Sequence, residues 1–278
     1  MKKLFLSMAI AACFLQNTEA QQLRTPAPSP STTITQEFAL SSVEINYSRP
    51  AARGRKIFGD LVPYGKVWRT GANSATTITF GDAVTFGDKA VPAGKYGLLT
   101  IPDAGSWTII LSKQLDVTSP AAYKQDQDVA RITVQSGNLP ITIENFMIVF
   151  DNITPTSMQL NMVWENTGVS IPIKANIDDK IMAQINEMMT KDNRPYFQSA
   201  MYYMENGKDL NKALGWFDKA IEQNPSAFWI QHQKANCLAK LGRKQEAITT
   251  ANKSIELAKA AKNDDYVALN QKLIASLK

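Results

Sequence analysis

The stretch Val169-Ser170-Ile171-Pro172-Ile173-Lys174-Ala175-Asn176-Ile177-Asp178-Asp179-Lys180-Ile181-Met182-Ala183-Gln184-Ile185 decides the fold, because the hydrophobic period changes inside it. Up to Ile173 apolar residues alternate with polar ones, the signature of a half-buried strand. From Asn176 onward Ile177, Ile181, Ile185 and Met188 recur at helical spacing. Asp178 and Asp179 fall in the first turn, where the helix dipole favours acids. A β-region therefore ends near residue 173 and an α-region begins, so two domains of different class are expected.

Working back from this junction, the period stays close to two as far as Thr32. The expected strands are Thr32-Phe38, Ser42-Ser48, Ala75-Phe80, Gly94-Ile101, Trp107-Leu111, Val129-Gln135, Ile141-Phe150, Met158-Trp164 and Val169-Ile173. Phe80-Gly81-Asp82 and Phe86-Gly87-Asp88 are near-copies that read as consecutive hairpin ends. Pro102-Asp103-Ala104-Gly105 is a further turn signal. Many short strands separated by turns imply an all-β sandwich or barrel-like domain over residues 32–173. Pro26, Pro28 and Pro30 mark residues 21–31 as an extended lead-in.

Working forward, residues 174–193 read as a connecting helix, and a repeat follows over 194–278. Ala213-Leu214-Gly215-Trp216-Phe217-Asp218-Lys219-Ala220-Ile221-Glu222 aligns with Ala247-Ile248-Thr249-Thr250-Ala251-Asn252-Lys253-Ser254-Ile255-Glu256 at an offset of 34 residues. Ala, Lys, Ile and Glu coincide, and Ala220 meets the equally small Ser254. This period and its small residues resemble the tetratricopeptide repeat, a helix-turn-helix unit. The first unit starts at Arg194, with pattern positions at Phe197, Met201, Met204, Ala213, Phe217, Ala220 and Pro225. The second starts at Phe228, with Ala235, Leu238, Ala247, Ala251 and Ser254. Lys259 stands where Pro225 would recur, so the last repeat helix can run on. Gly207 and Gly242 should stop the first helix of each unit. Asp264–Leu277 reads as a cap with Tyr266, Leu269, Leu273 and Leu277 on one side. The resemblance implies an all-α tetratricopeptide-like module that contacts a protein partner. Two repeats need support, so they are expected to dock on the β-domain or on the preceding helix.

Composition narrows the chemistry. The chain has 278 residues, 44% hydrophobic and 20% charged, with a net charge of +5, two cysteines and one histidine. One histidine cannot furnish a common catalytic zinc site, and two cysteines cannot build a thiolate cage. No cofactor or metal is expected. Lys2, Lys3 and the apolar run Leu4–Leu15, followed by Thr18-Glu19-Ala20, read as a signal peptide over residues 1–20. A second reading takes Ile10-Ala11-Ala12-Cys13 as a lipobox with Cys13 lipidated. Either places the protein in the periplasm or outside the cell. No later run is long and apolar enough for a transmembrane helix. Cleavage at Ala20 leaves 28 basic and 24 acidic residues, a net of +4, and leaves Cys237 as a lone thiol.

That charge is unevenly placed. Residues 49–69 hold six basic residues and one acid, Asp60. The rest of residues 21–193 carries nine basic and fifteen acidic groups. The segment also interleaves Phe58, Tyr64 and Trp68 with glycines. Guanidinium forks recognise carboxylates and phosphates, aromatic faces take flat ligands, and glycine lets backbone come close. The candidate ligand-binding residues are Arg49, Arg53, Arg55, Lys56, Tyr64, Lys66, Trp68, Arg69 and Asn73, facing an anionic or glycan-like ligand. The competing reading is structural: Phe58, Leu61, Val62 and Trp68 plug the end of the sandwich while the arginines pair with the domain's surplus acids.

The motifs Gly54-Arg55-Lys56-Ile57-Phe58-Gly59, Leu61-Val62-Pro63-Tyr64-Gly65 and Trp68-Arg69-Thr70-Gly71-Ala72-Asn73 resemble a secreted bacterial family, domain of unknown function 2911. Val91-Pro92-Ala93-Gly94-Lys95-Tyr96-Gly97 and Trp107 extend the likeness across Thr32–Ile173. The resemblance implies no particular activity. Ser74 follows Asn73 where many members have Glu, so no acid role carries over there.

Familiar enzyme signatures fail. Gly54 and Gly59 have phosphate-loop spacing, but Asp60-Leu61 replaces Lys-Ser/Thr. His232 lies in a repeat helix without a nucleophile elbow and reads as a partly exposed helix residue. Cys237 reads as a small packing residue. Glycoside hydrolysis would need paired carboxylates, with Asp60, Glu144, Asp151 and Glu165 available. The expectation is a non-catalytic ligand- or protein-binding module. The alternatives are an envelope glycan hydrolase using Asp60, Tyr64 and Arg69, or a structural envelope component. Export argues against nucleic acid.

Overall fold

The computed structural model describes residues 25–278; the signal-peptide and lipobox readings lie outside the described residues. The chain divides into two compact units at Asn176/Ile177.

The first unit holds nine strands: β1 (Ser31–Phe38), β2 (Ser41–Ser48), β3 (Thr77–Phe80), β4 (Val84–Phe86), β5 (Lys89–Val91), β6 (Gly94–Pro102), β7 (Ser106–Ser112), β8 (Asp128–Asp151) and β9 (Ser157–Lys174). They form one antiparallel sheet in the order β1-β2-β3-β6-β7-β8-β9-β4-β5. The sheet curls back on itself. Just past β2, the Ala52 N–H donates to the Glu144 carbonyl (2.8 Å), and the Phe146 N–H of β8 donates to the Pro50 carbonyl (2.9 Å). Strands far apart in the order thus meet, giving the barrel-like sandwich. Alternation sets its core: Val43, Ile45 and Tyr47 from β2 and Met158, Leu160, Met162 and Trp164 from β9 are all buried in one cluster.

Two pairs of expected short strands are fused. Val129-Gln135 and Ile141-Phe150 are one 24-residue strand, and Met158-Trp164 and Val169-Ile173 one of 18 residues. Gly137 and Pro140 lie in the stretch expected to separate the first pair. The β8–β9 register instead shifts between Asn138 and Ile143, so the proline, which has no N–H, sits where the ladder is already interrupted. The two Phe-Gly-Asp copies also diverge. Phe86 pairs with Lys89 around Gly87, whose φ is 62°, making a tight hairpin. Phe80-Gly81-Asp82 instead leads out of β3, which pairs with β2 and β6.

The second unit has six helices: α1 (Asp178–Met188), α2 (Tyr196–Glu205), α3 (Leu210–Gln223), α4 (Phe228–Lys240), α5 (Lys244–Ala260) and α6 (Asp264–Leu277). α2–α3 and α4–α5 are the two tetratricopeptide-like units. Gly207 and Gly242 take φ of 66° and 75° just past α2 and α4. Ala213, Ala220, Ala247, Ala251 and Ser254 are buried, so helices can approach closely. α5 does run on, to Ala260. α1 supplies the support the repeats need, since Ile185, Ile181, Met182 and Met189 join the helical core. The cap differs from expectation. Leu269 is 46% exposed, and Asn270 is the buried residue of α6.

Candidate functional site

The segment between β2 and β3 is built into the β-unit from both sides. Carboxylates hold its backbone: Arg53 N–H donates to Glu144 Oε1 (2.8 Å) and Ile57 N–H to Glu165 Oε2 (3.1 Å). Trp68 and Thr100 of β6 exchange two backbone hydrogen bonds of 2.7 and 3.0 Å. Ile57, Phe58 and Val62 are buried, whereas Leu61 is exposed. Phe58 lies 4.8 Å from Trp107 between ring centres, and Trp68 stacks on Trp164 at 5.9 Å with 19° between planes. Gly59 is needed here, since a Cβ would fall 2.7 Å from the Tyr64 ring and φ is +84°.

Over this aromatic floor opens a cleft of about 400 Å³. Its walls come from the segment itself, from Ser29 of the lead-in and from Thr118, Ser119 and Pro120 after β7, with Trp164 beneath. Arg55, Lys66 and Arg69 line it, and no carboxylate, histidine, cysteine or tyrosine does. The arginine charges are not neutralised. Arg55 donates to the Ala52 (3.0 Å) and Ala51 (2.7 Å) carbonyls, and Arg69 Nη1 donates to the Thr118 carbonyl. Lys66 is exposed. Among the described residues, none of the six basic side chains of residues 49–69 forms a salt bridge. The buried Nε of Arg69 has no hydrogen-bond partner within the protein. Thr70, β-branched, holds a left-handed φ of 57°, a strained state. Its carbonyl accepts from Thr76 Oγ1 at 2.6 Å.

Four of the nine candidate residues therefore converge: Arg55, Lys66, Trp68 and Arg69. The others do not line the cleft. Arg53 Nη2 donates to the Pro28 carbonyl (3.2 Å) and Asn73 Nδ2 to the Ser29 carbonyl (3.0 Å). With Arg49 N–H on the Pro30 carbonyl (2.9 Å), they strap down the proline-rich lead-in. The Arg49 side chain donates to the Phe146 carbonyl (3.2 Å). Tyr64 packs its ring over Gly59, and Lys56 is exposed away from the lining. The expected pairing of arginines with surplus acids is corrected: the acids take backbone N–H groups and the guanidiniums take carbonyls. Sequence reading missed Trp164 and the Thr118–Pro120 wall. Trp164 reads as one more inward strand residue, and the wall carries no periodic signal.

The hydrolase residues do not assemble in the cleft. Asp60 and Tyr64 lie outside the lining, and Glu144 and Glu165 are engaged with the segment's backbone. His232 is buried rather than partly exposed: its Nδ1 lies 2.9 Å from Asn270 Oδ1 and its Nε2 3.1 Å from Asn236 Nδ2. An Nδ1–H tautomer satisfies both. Asn270 Nδ2 donates to Ser254 Oγ (2.9 Å), which donates to the Phe228 carbonyl (2.7 Å). Cys237 is buried, and burial raises its thiol pKa, which keeps it protonated and inert. Among the described residues no group of His, Cys, Asp and Glu could hold a metal, and no helix is long and apolar enough to cross a membrane.

A curled antiparallel domain bearing one basic, tryptophan-floored cleft, joined to a helical-repeat module, defines the class of protein. The family described as Protein of unknown function (DUF2911) matches residues 29–173, more than half of the chain, and the chain belongs to that family. The Tetratricopeptide repeat model matches residues 216–249, one 34-residue period in a shifted phase. The match suggests protein binding. No curated protein matches the chain significantly. Among solved structures, a tetratricopeptide repeat domain protein from Salinibacter ruber matches at 18% identity over 30% of this chain and 91% of its own, with a TM-score of 0.28.

Proposed function

We propose that this is an exported, non-catalytic binding protein. Its β-unit takes an anionic, glycan-like ligand and its helical unit a protein partner. The observation that carries the reading is the cleft, where three cations without acid partners surround a tryptophan floor. A buried, unpartnered Arg69 Nε beside the strained Thr70 adds to it, since strain and orphaned donors collect at functional sites. Arginine and lysine supply charge, tryptophan supplies apolar contact, and the lining supplies no carboxylate, histidine, cysteine or tyrosine for acid–base work, so the cleft is suited to holding rather than cleaving.

Lys66 is the cleanest residue with which to test it, because Arg55 and Arg69 also bond loop carbonyls and their loss would disturb the fold. Titration with uronic-acid oligosaccharides, followed by calorimetry or tryptophan fluorescence, should detect binding. Lys66→Ala should weaken it by about tenfold, the worth of one charge-assisted contact, without changing Tm. Neutral oligosaccharides should bind less. Binding unaffected by Lys66→Ala, or turnover of the oligosaccharide, would overturn the reading.

A further inference from the structure

We infer that a second ligand site lies on the helical unit, where α1 and α3 and the chain entering α2 enclose a cleft that fits an extended acidic peptide. It rests on the reading that the helices contact a protein, and adds where and with what chemistry. The cleft measures about 460 Å³, and its lining includes Arg194, Lys212, Lys219, Tyr196, Trp216 and Met189, with no acid. α1 forms one wall and is not part of either repeat, so the repeat pattern alone does not supply this site.

The cations are held without being fully neutralised. Lys212 Nζ sits 5.0 Å from the Trp216 ring centre and 5.3 Å from that of Tyr203. Ring quadrupoles fix an ammonium in place while leaving its formal charge. Arg194 donates to two neutral acceptors, the Lys191 carbonyl (3.1 Å) and the Tyr196 hydroxyl (3.2 Å). Lys219 alone has an acid partner, Glu222 at 2.8 Å, leaving an excess of two positive charges. Other ion pairs of this unit, such as Lys234–Asp218 and Arg243–Glu246, line a different depression and balance each other.

Spacing defines the ligand further. Lys212 and Lys219 are seven residues apart on α3, about 10.5 Å along the axis. An extended polyproline-type chain covers about 9.3 Å in three residues and returns to the same side. Two acidic side chains three residues apart would meet the two lysines, with an apolar residue between them against Trp216 and Met189.

The test uses the full chain and a fluorescein-labelled peptide containing Glu-Ala-Leu-Glu, beside the same peptide with Gln for Glu. The Glu peptide should bind, and the Gln peptide should bind at least about tenfold more weakly. Lys212→Gln and Lys219→Gln, both exposed positions with circular dichroism as the folding check, should each weaken the Glu peptide several-fold. Lys253→Ala, outside the lining of this cleft, should leave it unchanged. Binding that persists in both lysine variants overturns this site while sparing the protein-binding reading. No binding of the Glu peptide overturns this site and leaves the protein-binding reading resting on the repeats. Equal binding of a single-stranded oligonucleotide of matched charge overturns the peptide assignment in favour of a general polyanion surface.

Discussion

The two basic regions of this protein handle charge in opposite ways. In the β-unit the cations of residues 49–69 have no acid partners, and their guanidiniums rest on carbonyl oxygens. In the helical unit many cations are paired three residues along the chain, as in Lys219–Glu222, Arg243–Glu246 and Lys253–Glu256. The first and third pairs occupy equivalent places in the two repeats, so the Lys and Glu shared at an offset of 34 residues are a repeated surface ion pair. Net charge alone did not separate these cases. A carbonyl orients a guanidinium and leaves its full charge available, whereas a carboxylate in an exposed pair offsets part of it and can be exchanged for a ligand's.

The comparison breaks most severely if the basic segment is removed from the core beneath it. Phe58 is buried and touches Trp68, Trp107 and Trp164. Phe58→Ala should cost about 3–5 kcal/mol, read as a lower midpoint in denaturant, and should also loosen the cleft. A cost below about 1 kcal/mol would mean that the segment lies on the β-unit without being packed into it.

The helical counterpart is a buried polar cluster. Asn270 joins His232 Nδ1, Ser254 Oγ and the Tyr266 carbonyl, the last at 2.6 Å. Asn270→Ala leaves the imidazole and hydroxyl without that partner, which should cost about 1–3 kcal/mol. The double variant with His232→Leu should lose less than the sum of the two single variants, because the orphaned groups are removed together. Additive losses in urea unfolding would show that the two side chains are not coupled.

What could be read from the sequence follows the range of the forces involved. The repeats were legible because helix contact demands small residues at fixed intervals, and Ala213, Ala220, Ala247, Ala251 and Ser254 advertise it. The alternation of β2 and β9 was legible for the same local reason. The fusion of strands across Pro140 was not, because a register shift looks like a turn until the partner strand is known. Within the basic segment, Phe58 and Val62 were readable as buried, and Arg55, Lys66, Trp68 and Arg69 only as members of a larger set of nine candidates. That Arg53 and Asn73 hold the lead-in was hidden, since their partners are the carbonyls of Pro28 and Ser29, and a carbonyl has no signature in sequence. His232 was misplaced because its partner Asn270 lies 38 residues away, and a polar residue inside an apolar stripe reads as surface.

The smallest effect sharpens the comparison most. Lys253 and Glu256 have side chains 50% and 70% exposed, so their 2.9 Å contact is screened and costs side-chain freedom. Lys253→Ala should leave the melting temperature within experimental error, as Lys66→Ala should. The two variants then differ only in what they bind: Lys66→Ala loses the anionic ligand of the β-unit, and Lys253→Ala loses neither that ligand nor the acidic peptide. Equal loss of ligand from both would mean that binding follows total charge. Loss from Lys66→Ala alone means that a cation without an acid partner, standing over tryptophan, is what the cleft provides.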